Sequence, residues 1–213
     1  MKGAAEMANT KVDRPQLGFT TLDIVFMALV GVAFGAIFAF TAPLNFLFNS
    51  MFGVWGELIL RYYMLPQALA AIVVRKPGTY FIVTGFNMLT QALAGNPAGF
   101  LACTGWWLVG GTGGELTLWA LRYKRWDFWA VGLAVAVNLI VNWPVSFWFF
   151  GWGSQGVMAN IVSTILQAIL GAIEGAGIGL ILARILYNAG LLGGFKYAKD
   201  MREAKLALET PQA

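Results

Sequence analysis

Long apolar runs, separated by short connections rich in glycine, proline or charge, dominate this chain. Six can be marked, over about 20–41, 54–74, 78–95, 98–121, 127–150 and 157–188. Each approaches or exceeds the roughly 20 residues that a helix needs to cross ~30 Å of hydrocarbon. The pattern therefore predicts an all-α integral membrane protein with six transmembrane helices. The second run is the least regular: Glu57, Arg61 and Gln67 interrupt it, and Pro66 lacks a backbone donor. A broken or re-entrant helix is the alternative there. The last run is long enough to tilt or to project.

Basic residues orient these runs. Lys11 and Arg14 precede the first, Arg75 and Lys76 join the second to the third, and Arg122, Lys124 and Arg125 join the fourth to the fifth. Arg184, Lys196, Lys199, Arg202 and Lys205 follow toward the end, whereas the connections TAPLNFLFNSMFG, GNPAG and GWGSQG carry no lysine or arginine. Lysine and arginine accumulate in short cytoplasmic loops, so both termini are expected inside, in keeping with an even number of crossings. The expected organisation is a cytoplasmic tail over 1–18, a membrane domain over 19–195 and a cytoplasmic tail over 196–213 that begins as an amphipathic helix. The opening residues have no short apolar core ending in a cleavage site and do not read as a signal peptide. The chain is expected to be a multi-pass protein of a prokaryotic cell membrane.

Composition narrows the chemistry. Of the 213 residues, 59% are hydrophobic and 11% charged, against roughly a quarter charged in soluble domains. With no histidine and one cysteine, histidine-based catalysis, the usual zinc sites and an intrachain disulfide are ruled out. Cys103 reads as an inert, buried small hydrophobe. The formal charge of +4 sits beside apolar spans, not in a patch interleaved with exposed aromatics, so no nucleic-acid partner is expected. No nucleophile–base pair, metal cluster or cofactor motif is visible, and an enzyme is the least expected reading. LVGGTGGELTLW, at 108–119, puts Glu115 where a phosphate-binding loop needs lysine, so it is not a nucleotide site. Gly110 and Gly114 instead suit close helix packing, expected against the sixth span.

Small residues four apart form stripes on which another helix can dock closely. Gly171, Gly175, Gly179 and Ala183 suggest packing within the chain, and Gly31, Gly35 and Ala39 either packing or docking of a partner subunit. Ionisable residues within spans are functional candidates by default. Glu57 and Arg61, four apart, can neutralise each other or contact a ligand. Glu115 and Glu174 are expected ~25 Å below the outer ends of their spans, as paired or protonated helix glue near Arg122 and Arg184, or as proton carriers in a self-contained secondary transporter. Asn87, Gln91, Asn138, Asn142, Asn160, Ser163, Thr164 and Gln167 lie in the middle or outer half. Amides there either bond across helices or line a pocket open to the outside. Tryptophans 55, 106, 107, 143, 148 and 152 share that level, as an interfacial belt or as walls for a flat or cationic heterocycle. Trp55, Trp106 and Trp143 join the candidate ligand contacts. A ligand-free structural membrane subunit is the remaining alternative.

Arg75-Lys76-Pro77-Gly78 opening the third span, Gly95-Asn96-Pro97-Ala98-Gly99 at its outer turn, and Gly110 to Glu115 leading to Arg122-Tyr123-Lys124-Arg125-Trp126 form an ordered series. It resembles the YkoE family, the substrate-binding (S) subunits of energy-coupling-factor (ECF) vitamin transporters, over about residues 19–190. The resemblance implies six helices and capture of a vitamin from outside, with thiamine or its hydroxymethylpyrimidine precursor as the expected ligand. It also implies a transmembrane coupling (T) subunit and two cytoplasmic ATPases as partners, with Gly31, Gly35 and Ala39 as the docking surface. One position departs: Thr84 stands where the family tends to carry a glutamate. Recognition of an aminopyrimidine would then pass to Asn87 or Glu57, or the ligand would differ.

Overall fold

The computed structural model describes residues 18–58 and 62–209, and these are helical apart from their connections. The elements are α1 (Thr21–Phe52), α2 (Leu65–Val74), α3 (Thr79–Leu93), α4 (Gly99–Gly105), α5 (Thr112–Ala120), α6 (Phe128–Phe150), α7 (Val157–Asn188) and α8 (Lys196–Glu209). A π-helical segment, Trp106–Gly111, joins α4 to α5, and 3-10 turns cover Gly53–Leu58, Tyr62–Met64 and Trp152–Gln155. By length and composition, three helical stretches can cross a membrane: Thr21–Leu58, Phe128–Phe150 and Val157–Asn188.

Local signals account for the ends. Thr20 and Asp23 form a reciprocal capping box at α1, Thr20 donating its N–H to the Asp23 carboxylate at 2.7 Å. Lys76 donates to the same carboxylate at 2.6 Å, tying the α2–α3 turn to the start of α1. Asp127 caps α6 by accepting from the Ala130 N–H at 2.9 Å. Helix α1 continues past residue 41, through Pro43, to a stop at Gly53, whose left-handed φ of 62° lets its N–H cap the Asn49 carbonyl. The connection expected from residue 41 onward is thus helical, and it carries Asn45 and Asn49 over the bundle.

The expected span over 54–74 is broken. Pro66 falls in the first turn of α2, where the missing donor costs nothing, and the described residues before it, Gly53–Leu58 and Tyr62–Met64, form 3-10 turns. At ~1.5 Å per residue, the ten residues of α2 reach only about half-way through a bilayer. All ten are buried, as befits a helix apolar on every side. Glycines of α7 admit it: a Cβ on Gly175 would stand 3.3 Å from the Met64 Cβ, and one on Gly179 would stand 3.2 Å from Ile72 Cδ1. The stripe on α7 therefore packs inside the chain, one of the two uses its spacing allows.

The stripe on α1 also faces inward, which corrects its assignment as a partner-docking surface. Gly31, Gly35 and Ala39 are buried. A Cβ on Gly31 would come within 2.6 Å of the Phe86 Cβ, and one on Gly35 within 2.7 Å of the Asn87 carbonyl oxygen. The spacing correctly signals a close helix neighbour, and that neighbour is α3.

Candidate functional site

A cavity of about 110 Å³ lies between the C-terminal halves of α1, α3 and α6 and the N-terminal half of α7, beside the 3-10 turn that carries Glu57. Its polar lining comes from separate elements: Asn45 of α1, Glu57, Gln91 of α3, Asn142 of α6 and Gln167 of α7. The extension of α1 supplies Asn45, whose Nδ2 donates to Glu57 Oε1 at 3.1 Å, and Asn49 donates to the same oxygen at 2.6 Å. Two amides thus hold the carboxylate at the edge of the cavity. The 3-10 turn is fixed from the other side, where Gln155 accepts from the Val54 N–H at 2.6 Å and Ser163 donates to the Val54 carbonyl at 3.0 Å.

Aromatic rings make one wall. Trp106 stacks on Phe150 at 6.0 Å between centroids and 22° between planes, and Phe150 stacks on Trp152 at 5.2 Å and 19°. Trp106 is fixed by its indole N–H, which donates to the Ser146 hydroxyl at 3.2 Å. It opens the π-helical segment, whose wider turn departs from regular α-helical bonding. Its carbonyl accepts from Asn142 Nδ2 at 3.4 Å. Asn142 also donates to Asn138 Oδ1 at 3.0 Å, and Asn138 donates to the Tyr80 hydroxyl at 3.0 Å.

Among the described residues, three polar atoms on this lining are buried and without a hydrogen-bond partner: Asn45 Oδ1, Asn142 Oδ1 and the Trp143 indole N–H. Buried polar groups are nearly always hydrogen-bonded, so orphans around a cavity point to a ligand that completes them. Two acceptors, a carboxylate and one donor suit a molecule that mainly offers N–H groups or positive charge, with a flat face for the tryptophans. Gln67, one helical turn along from Tyr63 and Met64 of the lining, is likewise buried with both side-chain polar atoms unpartnered.

Of the residues expected at the site, Glu57, Gln91, Trp106, Asn142, Trp143 and Gln167 line the cavity. The others do not. Asn87 is buried at the α1–α3 contact, where it donates to the Gly31 carbonyl at 3.4 Å and accepts from Gln91 at 2.7 Å. Asn138 lies one turn before Asn142, and Asn160 secures the connection between α6 and α7 by donating to the Trp152 and Gly156 carbonyls at 3.0 and 2.8 Å. Trp55 is 41% exposed and outside the lining. Arg61, the expected partner of Glu57, lies outside the described residues. Asn45, Asn96 and Ser146 of the lining were missed. The four-residue spacing of Asn45 and Asn49 was the available signal for the first.

A family model described as "ABC-type cobalt transport system, permease component" matches residues 22–141. The chain belongs to that family. It is 22% identical over 185 residues to the "Putative HMP/thiamine permease protein YkoE" of Bacillus subtilis (strain 168), covering 86% of this chain and 92% of that protein. A solved structure described as the crystal structure of an S-component of an ECF transporter superposes with a TM-score of 0.83 at 20% identity, covering 90% of this chain and 98% of that one. The chain thus has the S-component fold, and with its long apolar helices this permease component is a membrane protein.

In this permease fold Glu115 does not face the cavity. Its carboxylate accepts from the Gly78 N–H at 2.6 Å, the Phe81 N–H at 3.2 Å and the Tyr123 hydroxyl at 2.8 Å. Glu115 therefore caps α3 from another helix, filling a role that Gly78 has no side chain to perform. Burial, and then the bond to the Glu115 carboxylate, push the Tyr123 phenol far above its ordinary pKa. Glu174 is half-buried on α7 and makes no ion pair among the described residues.

The glycine run before Glu115 packs on α3 and α6, not on the α7 stripe as expected. A Cβ on Gly114 would overlap the Tyr80 ring, and one on Gly110 would overlap the Asn142 side-chain amide. Gly110→Ala should therefore lower stability by about 1–3 kcal/mol, the usual cost of overpacking, and displace Asn142. A lower melting temperature together with weaker ligand binding is the expected pair of readouts, and an unchanged protein would show that α6 can retreat.

Proposed function

We propose that this chain is the substrate-capture subunit of an ECF-type importer, taking up thiamine or its hydroxymethylpyrimidine precursor. The observation that carries the proposal is the outer-half cavity, with unpartnered acceptors on Asn45 and Asn142 beside Glu57 and a wall of stacked aromatics. An aminopyrimidine supplies N–H donors to such acceptors, and the thiazolium of thiamine adds a cation for the carboxylate and for tryptophan faces. The name of the Bacillus subtilis relative and the fold of the S-component support the same reading.

The family description mentions cobalt, but the cavity's donors argue for an organic substrate. A divalent first-row ion calls for several imidazole, thiolate or carboxylate ligands. Among the described residues, no group of three His, Cys, Asp or Glu could hold one.

In this reading the membrane domain crosses the bilayer of a prokaryotic cell six times with both termini inside. The segment before α2, together with α2, makes the second, broken crossing. Among the described residues no nucleotide-binding loop is present, so transport draws on a transmembrane coupling subunit and two cytoplasmic ATPases. The subunit itself only binds and releases.

The test is a titration of the purified protein, without nucleotide, against thiamine and hydroxymethylpyrimidine, followed by tryptophan fluorescence. Saturable quenching by at least one, from Trp106 and Trp143, is expected. No saturable change with either compound would overturn the proposal.

A further inference from the structure

At the opposite end of the molecule from the cavity, four chain segments line a groove of about 520 Å³. Arg75 closes α2, Lys124 and Arg125 lie in the turn before α6, and Lys196 opens α8. We propose that this groove binds the phosphate headgroup of an anionic phospholipid. The proposal rests on the chain spanning a membrane and is independent of which vitamin occupies the outer cavity.

Charge is the first argument. Four cations line the groove against two carboxylates, Asp127 and Asp200, and both carboxylates are already engaged. Asp200 accepts from Arg75 at 2.5 Å and from Lys196 at 2.9 Å. Asp127 accepts from Arg125 at 2.6 Å while capping α6. These bonds hold its carboxyl below the ordinary range; burial opposes them, but the Ala130 N–H and the Arg125 guanidinium outweigh it. Lys124 has no ion-pair partner among the described residues. The Arg125 and Lys196 side chains are 60% and 53% exposed, so both can turn to a further anion. The groove keeps a net charge of +2 after all pairing, four cations less two carboxylates.

The second argument is that the groove has two chemistries. One wall is Phe128, Leu180 and Met201, and it continues along the face of α7 that points away from the core. There Gly177 leaves a shallow place beside the Phe128 ring, 3.8 Å from the position of a Cβ. Ile173 and Ile181 are exposed on that helix, and Trp119 and Trp129 are 64% and 74% exposed near the same end. Exposed tryptophans at a helix end mark the headgroup level of a bilayer. A cationic pocket at that level, opening onto an apolar strip, fits an amphiphile better than a soluble phosphate compound. The turn that presents the cations is anchored, because Tyr123 bonds Glu115 of α5, which also accepts from the N–H groups at the start of α3.

The experiment uses the full chain, purified and stripped of lipid in neutral detergent. Short-chain phosphatidylglycerol, short-chain phosphatidylcholine and inorganic phosphate are titrated separately, with melting temperature and native mass spectrometry as readouts. Phosphatidylglycerol should bind saturably and raise the melting temperature, and the other two should not. Lys124→Ala combined with Arg125→Ala should weaken that binding at least about tenfold, since each basic residue near the surface contributes measurably to anionic-lipid attraction. A control pair outside the groove lining, Lys199→Ala with Lys205→Ala, should leave it within about twofold. Vitamin binding at the outer cavity should be unchanged in both variants, so failure here is distinguishable from failure of the transport reading. Equal stabilisation by phosphatidylcholine, equal stabilisation by inorganic phosphate, or equal losses in the two variant pairs would each overturn the proposal.

Discussion

Glu57→Gln is expected to weaken thiamine binding by about 10- to 100-fold while leaving the fold intact. The magnitude follows from losing a hydrogen bond to a charged group, ~1.5–3 kcal/mol, at 1.4 kcal/mol per tenfold in affinity. The substitution is conservative where the structure needs it to be. Glu57 Oε1 accepts from both Asn45 and Asn49, and an amide oxygen can accept the same two bonds. What disappears is the charge at the cavity's edge. Because hydroxymethylpyrimidine lacks the thiazolium cation, its affinity should fall less than that of thiamine. Isothermal titration of both compounds against both proteins reads the difference directly. If each changes by less than about twofold, the carboxylate does not face the ligand, and recognition must rest on Asn45, Asn142 and Trp143. Trp143→Phe separates those contributions, keeping an aromatic ring while deleting the unpartnered N–H. It should cost about three- to tenfold, the worth of one neutral hydrogen bond.

What could be read from the chain divides along a physical line. Apolar run length reports partition into hydrocarbon, so the membrane class and the positions of α6 and α7 were legible. Proline and charge within 54–74 were legible as a break. Spacing of four places residues on one face of a helix and says nothing about what that face meets. Asn87 and Gln91 share a face, yet only Gln91 reaches the cavity, because the Gly31 backbone takes the Asn87 amide. Asn138 and Asn142 divide in the same way, the lower bound by the Tyr80 hydroxyl. The stripes on α1 and α7 announced close approach correctly and left the neighbour open. The first apolar run was ended near residue 41, although membrane helices tolerate an interior proline such as Pro43 and the true terminator is Gly53. Contacts between distant segments were the illegible part, and the site is built from such contacts.

Glu115 is the sharpest case of that division, and Glu115→Ala should lower the melting temperature by roughly 5–15 °C without abolishing ligand binding. Two α3 N–H groups, those of Gly78 and Phe81, lose their acceptor, and the Tyr123 hydroxyl loses its own. A lost cap costs about 0.5–2 kcal/mol, and stranding buried donors adds roughly 1–3 kcal/mol. At about 2–4 °C per kcal/mol for a chain of this size, these costs span about 3–20 °C, and the expected shift is the middle of that span. Glu115→Gln keeps one oxygen, enough for Gly78 and Tyr123, but sets an NH2 against the Phe81 N–H that bonds the other carboxylate oxygen, and it removes the charge that favours a helix N-terminus, worth ~0.3–1 kcal/mol, so it should recover only part of the loss. A proton carrier predicts the reverse order of effects: both substitutions would abolish transport alike, and stability would change little. Thermal unfolding and ligand titration of the three proteins decide between these outcomes. If Glu115→Ala proves as stable as the parent, the cap is not holding α3, and an acid inside the membrane again needs a functional explanation. If it melts early yet binds at nearly full affinity, Glu115 is a structural residue that fixes α3 and the basic turn at one end of the bundle, while the chemistry of recognition stays with Glu57 and the amides at the other.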